Sequence, residues 1–484
     1  MPWPLRRLLP VAAIVLAFSA CRFGYESVGA GVGEETSGGE GGGAAATSGE
    51  SGTGASPISG GSDAGDVPSA GAADDAGAPP MSVGGNDSGG SGGLAGSSGS
   101  AGKGGSAGAG GSAATGGSAA TGGSAATGGS AGKGGAGGAS GASGGAAGSG
   151  GVVNLVVTTA ADEADAGATP SSPGQTGFSL REAIAFANTN AGYQSITFNA
   201  AAATIGLKSP LPTVQETLDI KGLVVLDATA NASTSACLSV ASSNVHIDSL
   251  EIHHCQGEPV LFSSSTSTGN QLSNAYLHDN KKAAVVYGDG ALVSGCLITF
   301  SAVAGLEIYG KNAQLVGNDI AASLGTNYLI HDGANGAYLL ANVSIGGGDG
   351  IGFGAVTGAT VWHSTIVDSV YSGLSVGTAT QVDARNNIII GADAYGVWGP
   401  DSAFSKLDHN LYFNNASGNR NQGSLDAASV IGDPLFNDAT NFDYALKVGS
   451  PAINKGFNLS VDRNGSATGL YNGSAPDIGW SEAP

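Results

Sequence analysis

The feature that most constrains this chain is a repeat of twenty-odd residues running through its second half. It can be read from one apolar position. Ile252, Leu277, Ile298, Ile320, Ile345, Val367, Ile389 and Tyr412 follow one another at intervals of 25, 21, 22, 25, 22, 22 and 23 residues. Five residues before each stands a second apolar residue: Ile247, Leu272, Val293, Leu315, Leu340, Trp362, Ala384 and Leu407. A period of this length signals a solenoid or array, in which each unit buries its apolar face against its neighbours. The segments are short, β-branched and punctuated by glycine, which fits neither a leucine-rich framework nor a helical repeat. The pattern predicts one coil of short strands per repeat, with Ile298, Ile320 and Ile345 piled in a single interior column.

A further strand in each coil is predicted at 305–308, 350–353 and 373–376, each led by glycine. Its outward positions are expected at Val286, Glu307, Leu329, Gly352 and Ser375. Turns such as Gly288-Asp289-Gly290 and Asp332-Gly333 separate it from the next strand. Between the two apolar marks lie Asn274, Asn318, Asn342, Asn386, Asn387 and Asn410. Their recurrence predicts a column of side chains bonded from coil to coil, although asparagine also suits turns on its own account.

The repeat is preceded by Leu155-Val156-Val157-Thr158-Thr159, a strand by composition, and by Ile196-Thr197-Phe198, another. Between them Ser179 and Glu182 have capping-box spacing, and Leu180, Ile184 and Ala187 continue at helical intervals. A short helix is predicted over 179–189, where it would close the raw apolar end of the first coil.

Residues 1–20 carry Arg6 and Arg7, then an apolar run from 8 to 18 that is short for a bilayer span, then small residues. This is the layout of a secretory signal. Phe18-Ser19-Ala20-Cys21 resembles a bacterial lipobox, with phenylalanine in place of the usual leucine, which makes Cys21 the expected lipidation site. Arg22 follows rather than an aspartate, so the expected destination is the outer membrane, at the cell surface or the periplasmic face. Glycine makes up 86 of the 484 residues, most of them before residue 150. Residues 21–150 therefore read as a disordered Gly/Ser/Ala tether with a reach of roughly 60 Å. The domain is assigned to 151–484.

From residue 151 onward there are 12 bases and 28 acids. A surface so acidic repels a phosphate backbone, which argues against nucleic acid as a partner. It suits an extracellular soluble surface, with carboxylate binding of calcium as the sharper alternative. Cys237, Cys255 and Cys296 lack zinc-site spacing and read as small buried hydrophobes, one disulfide with a free thiol being the alternative.

The repeat resembles the right-handed parallel β-helix of the pectin-lyase-like superfamily. Ser179-Leu180-Arg181-Glu182-Ala183-Ile184 with Ile196-Thr197-Phe198 is similar to the opening of bacterial surface proteins with a choice-of-anchor Q domain. Leu446, the run Ser450-Pro451-Ala452-Ile453-Asn454-Lys455-Gly456, then Asp462, Gly465 and Asp477-Ile478-Gly479 are similar to their close. Two departures stand out: Trp480-Ser481-Glu482 replaces Ala-Tyr-Glu, and the arginine expected after Asp462 and Gly465 is missing. The resemblance covers about 152 to 482. It implies an all-β solenoid, a right-handed parallel β-helix with a short N-terminal capping helix, and no uniform activity.

Many proteins of that superfamily lyse, hydrolyse or epimerise acidic polysaccharides. Lyases need a base and charge neutralisation, and hydrolases need opposed carboxylates. The candidates for acid–base or metal chemistry are His254, His278, Asp279 and Glu307. His253 and His278 fall at equivalent positions of successive coils, with Lys281 and Lys282 beside them. The candidates for binding are Asp289, Lys311, His331, Asp332 and Tyr309, with Tyr287, Tyr328 and Trp398 as further aromatics. The signatures of polygalacturonase-type hydrolases and of pectate lyases are absent, as are nucleophile-elbow, P-loop and zinc-protease motifs. The leading expectation is a lipid-anchored, monomeric surface protein that binds or scaffolds, toward polysaccharide. A lyase or glycosidase is the alternative. No cofactor is predicted, unless calcium.

Overall fold

The computed structural model describes residues 153–461 and 469–483. The signal segment, Cys21, the tether, Asp462 and Gly465 lie outside the described residues. β1 (Val153–Val157) and β2 (Gln194–Phe198) pair in parallel, and α1 (Leu180–Thr189) runs between them. Ser179 caps α1 as the sequence predicts. Its Oγ accepts from the Glu182 amide at 3.1 Å, and the Glu182 carboxylate accepts from the Ser179 amide at 2.8 Å. Leu180, Ala183, Ile184 and Ala187 are no more than 1% exposed, so this helix face seals the interior of the first coil.

Beyond β2 the chain winds into stacked coils whose strands pair in parallel. Among the described residues, one sheet of twenty strands carries the first two faces of the coil and a nine-stranded sheet carries the third. Ile252, Leu277, Ile298 and Ile320 stand in register, all no more than 1% exposed. Residues in the left-handed region turn the corners. Asn274 (φ 51°), Gly295 (60°), Gly317 (61°) and Ala341 (55°) do so at the corner between the first and second faces. Asn and Gly enter this region at least cost, which is why the sequence marks its corners with them.

The asparagines divide between two positions of that corner. Asn274 and Asn386 are the left-handed residues themselves. Asn318, Asn342, Asn387 and Asn410 follow the left-handed residue and are no more than 1% exposed. Their amides bond up and down the column. Asn318 Nδ2 donates to Asn342 Oδ1 at 3.0 Å, and Asn387 Nδ2 donates to Asn410 Oδ1 at 3.0 Å. Each Nδ2 also donates to the carbonyl of a neighbouring coil, Val293 for Asn318 and Val361 for Asn387. The ladder is real, and Ser364 interrupts it.

The expected column fails in two coils. Ile320 stands beside Ser344, not Ile345, and Ile366 rather than Val367 continues the column to Ile389. Likewise Leu339 and Val361, not Leu340 and Trp362, line the interior of the first face. Shifting by one residue along a strand exchanges inside for outside. Ile345 and Val367 are apolar because the C-terminal segment covers them. The outer side of the second face (Val343, Val367, Ile388, Leu411) packs with Phe436, Tyr444, Leu446, Ala452 and Ile478 in a second core. Ser344 is tolerated inside because its hydroxyl accepts from Asn327 Nδ2 at 3.0 Å and reaches the Gly350 carbonyl at 3.2 Å.

The C-terminal segment is pinned by the residues of the closing motif. Asp477, 2% exposed, accepts from the Asn454 and Ala483 amides, each at 2.7 Å. Asn386 accepts from the Phe457 amide at 2.7 Å and donates to its carbonyl at 2.8 Å. Gly479 donates to the Asn386 carbonyl. The motif is therefore a clasp across the second face.

Tyr444 of the clasp lies in the charge field of Asp319 and Asp368, and Asp319 itself is half-buried on the second face. Desolvation pushes the Asp319 carboxyl up to about 7. Because this value exceeds that of the unfolded chain, the folded form holds the proton more tightly. Stability then falls as pH rises from about 4 to about 7, and the whole cost is present above that window. Asp319→Asn is expected to raise stability by about 2–4 kcal/mol at pH 8 and by nothing at pH 4. Chemical denaturation at the two pH values measures this.

The cysteines depart from their expected role. Cys237 and Cys255 form a disulfide with Cα atoms 6.1 Å apart, and Cys296 is a buried thiol outside it. Cys255 occupies the inward position just past the left-handed His254 corner, where its neighbour in the next coil is Asn280. Winding, not sequence spacing, brings it to Cys237.

Candidate functional site

The predicted residues gather into two clusters on different strand stacks. On the third face, parallel pairing sets Leu261, Val285, Glu307, Leu329, Gly352, Ser375 and Trp398 in one outward column. Val286 was expected there, but it points inward at 1% exposure beside Ile308. That coil begins with Ala283-Ala284 rather than with glycine, so the glycine-led register does not apply to it.

Where this strand ends, Tyr287, Tyr309 and His331 stack on one another. Ring centroids are 4.5 Å apart between the tyrosines and 3.8 Å between Tyr309 and His331. Glu307 Oε2 accepts from the Tyr309 hydroxyl at 3.2 Å and lies 3.1 Å from His331 Nε2. Burial, then the Glu307 charge, pushes the Tyr309 hydroxyl up to about 12. The stack uses the ring faces, while the Tyr309 hydroxyl is engaged by Glu307. The position above His331 in the next coil is Gly354, so the stack ends there.

Three of the expected binding residues have structural duties. Asp289 Oδ1 accepts from the Lys311 amide at 2.8 Å, and Asp332 Oδ1 accepts from the Ala355 amide at 2.6 Å, each carboxylate tying its turn to the following coil. Tyr328 is fully buried, with its hydroxyl 2.6 Å from the Asn318 carbonyl, and belongs to the core. Lys311 is exposed, and Tyr287 and Trp398 are 37% and 42% exposed.

The second cluster lies at the outer end of the second face, in the coils nearer the N-terminus. Asp227, His253 and His278 occupy one register position of three successive coils, and His254 follows as a left-handed corner. The His253 and His278 rings stack at 4.8 Å, and Tyr276 stacks on His278 at 4.2 Å. His278 lies between two carboxylates: its Nε2 is 3.2 Å from Glu251 and its Nδ1 2.8 Å from Asp279. Desolvation pulls its pKa down, but those carboxylates outweigh it and the net shift is upward. His253 goes the other way, lowered by burial and by the neighbouring His278. The expected quartet of His254, His278, Asp279 and Glu307 is thus divided, since Glu307 belongs to the third face. Asp227 and Glu251 were missed. Their signal was their register with His253 and His278, one coil earlier and two residues earlier.

A shallow cleft of about 380 Å³ near the last coils is lined by Asp401, Phe404, Lys406, Arg420 and Asp426, and includes neither cluster. Arg420 is held there by Asp401 at 2.8 Å and lies over the Phe404 ring.

The family model for a right handed beta helix region matches residues 220–324 and 283–432. No curated protein matches the chain. Among solved structures, a pectate lyase is similar at 13% identity and TM-score 0.49, over 69% of this chain and 98% of that one. A periplasmic alginate epimerase is similar at 10% identity and TM-score 0.33, over 50% and 76%. The A-module of an Azotobacter vinelandii mannuronan C-5 epimerase is similar at 12% identity and TM-score 0.34, over 52% and 95%. These likenesses are of fold alone. With the parallel stacking, the capping helix and the matched segments, the described domain is a right-handed parallel β-helix.

Proposed function

We propose that the protein is a lipid-anchored surface module whose third face binds an extended polysaccharide. One observation carries this reading. In the outward column, Leu329 and the exposed Trp398 stand on either side of Gly352, which the Thr326 and Leu329 side chains partly cover, and the half-buried Ser375. Three rung spacings of about 4.8 Å make a shallow stretch roughly 14 Å long, with the indole at one end and Leu329, His331 and, one coil beyond, Glu307 at the other. A shallow groove with one aromatic wall and a few polar groups suits a sugar chain, which offers both CH faces and hydroxyls.

Titration of the full chain with polyuronates and with neutral glucans is the direct test. Trp398→Ala is expected to weaken binding about tenfold, or about 1.4 kcal/mol. Equal affinity of Trp398→Ala and the parent chain would end this placement. The second reading, a polysaccharide lyase or glycosidase, is favoured by the Glu307–His331–Tyr309 group, in which a carboxylate, an imidazole and a phenol meet. Release of unsaturated products or new reducing ends, abolished in Glu307→Ala, would select it over simple binding.

No helix among the described residues is long and apolar enough to cross a membrane. Attachment in this proposal comes from acyl chains on Cys21. Cys21→Ser is expected to move nearly all of the protein from the membrane fraction to the soluble fraction. Unchanged membrane association after that substitution would refute the anchor.

A further inference from the structure

We propose that Asp227, His253 and His254 form a binding site for a divalent transition metal of the zinc class, independent of the glycan face. The observation is a triangle of donor atoms. His253 Nδ1 and His254 Nδ1 are 2.6 Å apart, and Asp227 Oδ1 lies 3.5 Å from the first and 3.6 Å from the second. The two longer edges exceed hydrogen-bond length, so the carboxylate faces both rings without bonding to either. A point equidistant from the three atoms lies about 1.9 Å from each, close to a metal–ligand bond of about 2.0–2.1 Å. An entering ion would displace the proton of the His253–His254 hydrogen bond and part the two nitrogens toward the roughly 3.3 Å of tetrahedral ligands.

The donor set points to the metal class. Two imidazoles and one carboxylate suit zinc, copper or nickel, whereas calcium needs six to eight oxygens. The surroundings fix the ligands in place. Thr229 donates to Asp227 Oδ1 from its hydroxyl at 2.6 Å and from its amide at 2.9 Å. His253 is held from its other side by stacking on His278. Such outer contacts orient metal ligands and are part of a working site. The His254 side chain is 50% exposed and that of Asp227 is 36% exposed, which leaves the fourth coordination position open to water or an incoming ligand.

A neighbouring group, Glu251, His253 and His278, also converges and shares His253. The assignment prefers the first triangle because both ring nitrogens of His278 in the second group are already engaged, by Glu251 and by Asp279. The test is competition for Zn²⁺ between the purified full chain and a chromophoric chelator, with Co²⁺ absorption as a second readout of ligand geometry. The expected result is one ion per chain, with His254→Ala and Asp227→Ala each weakening binding at least tenfold. His409→Gln, a histidine elsewhere on the solenoid, should leave binding unchanged. Far-UV circular dichroism checks that each variant is folded. Absence of stoichiometric binding overturns the proposal. So does undiminished binding in a folded His254→Ala variant, and so does loss in His278→Ala with binding retained in His254→Ala and Asp227→Ala.

Discussion

Gly310→Ala is expected to destabilise the domain by about 3 kcal/mol or more, and to dismantle the Tyr287–Tyr309–His331 stack. A Cβ at this position would lie 1.9 Å from the Gly288 carbonyl oxygen and 2.5 Å from its carbon. Both are backbone atoms of the coil beneath, so no rotamer change relieves the overlap. The coils would have to part at the residue next to Tyr309, whose ring depends on the rungs being one strand spacing apart. Gly317→Ala is the matched control. Nothing lies within 4 Å of a Cβ there, and only its left-handed φ of 61° resists substitution. Its expected cost is about 1–2 kcal/mol. Denaturant midpoints with near-UV circular dichroism measure both effects, and equal losses in the two variants would contradict the close-approach argument.

Asn387→Ala is expected to cost about 3–4 kcal/mol, whereas Asn274→Ala costs about 1 kcal/mol or less. Asn387 is fully buried. Its Oδ1 accepts from the Ser364 amide at 2.8 Å, and its Nδ2 donates to the Val361 carbonyl and to Asn410 Oδ1. Alanine leaves these groups in the dry interior with fewer partners, and a buried polar group without a partner costs about 1–3 kcal/mol. Asn274 is an exposed corner whose amide reaches Asp248 at 2.9 Å, and water can replace that contact. Equilibrium denaturation of the two variants decides the matter. Similar losses would mean that the column adds nothing beyond the turn preference of asparagine.

Much of the architecture was legible because its causes are local or periodic. The Ser179–Glu182 capping box is a four-residue signal, and it marks the helix it begins. The spacing of Ile252, Leu277, Ile298 and Ile320 announces a stack, because a coil cannot bury its inner residue except against the next coil. The equivalence of His253 and His278 follows from the same count, and their rings do stack.

Where the sequence misled, a distant segment had changed the meaning of an apolar residue. Ile345 and Val367 look like core and face outward, because the segment ending near Ile478 folds back over them. Val286 takes the inward place that its coil, lacking a leading glycine, does not announce. The union of Cys237 with Cys255, and of Asp227 with His253 and His254, depends on the side from which each coil closes. Amino-acid order by itself determined the period, the corners and the capping helix, since these follow from backbone preference and the alternation of side chains. Only the tertiary structure decided which residues share a wall, because register between coils is set by packing along the whole solenoid, and a shift of one residue trades the interior for the surface.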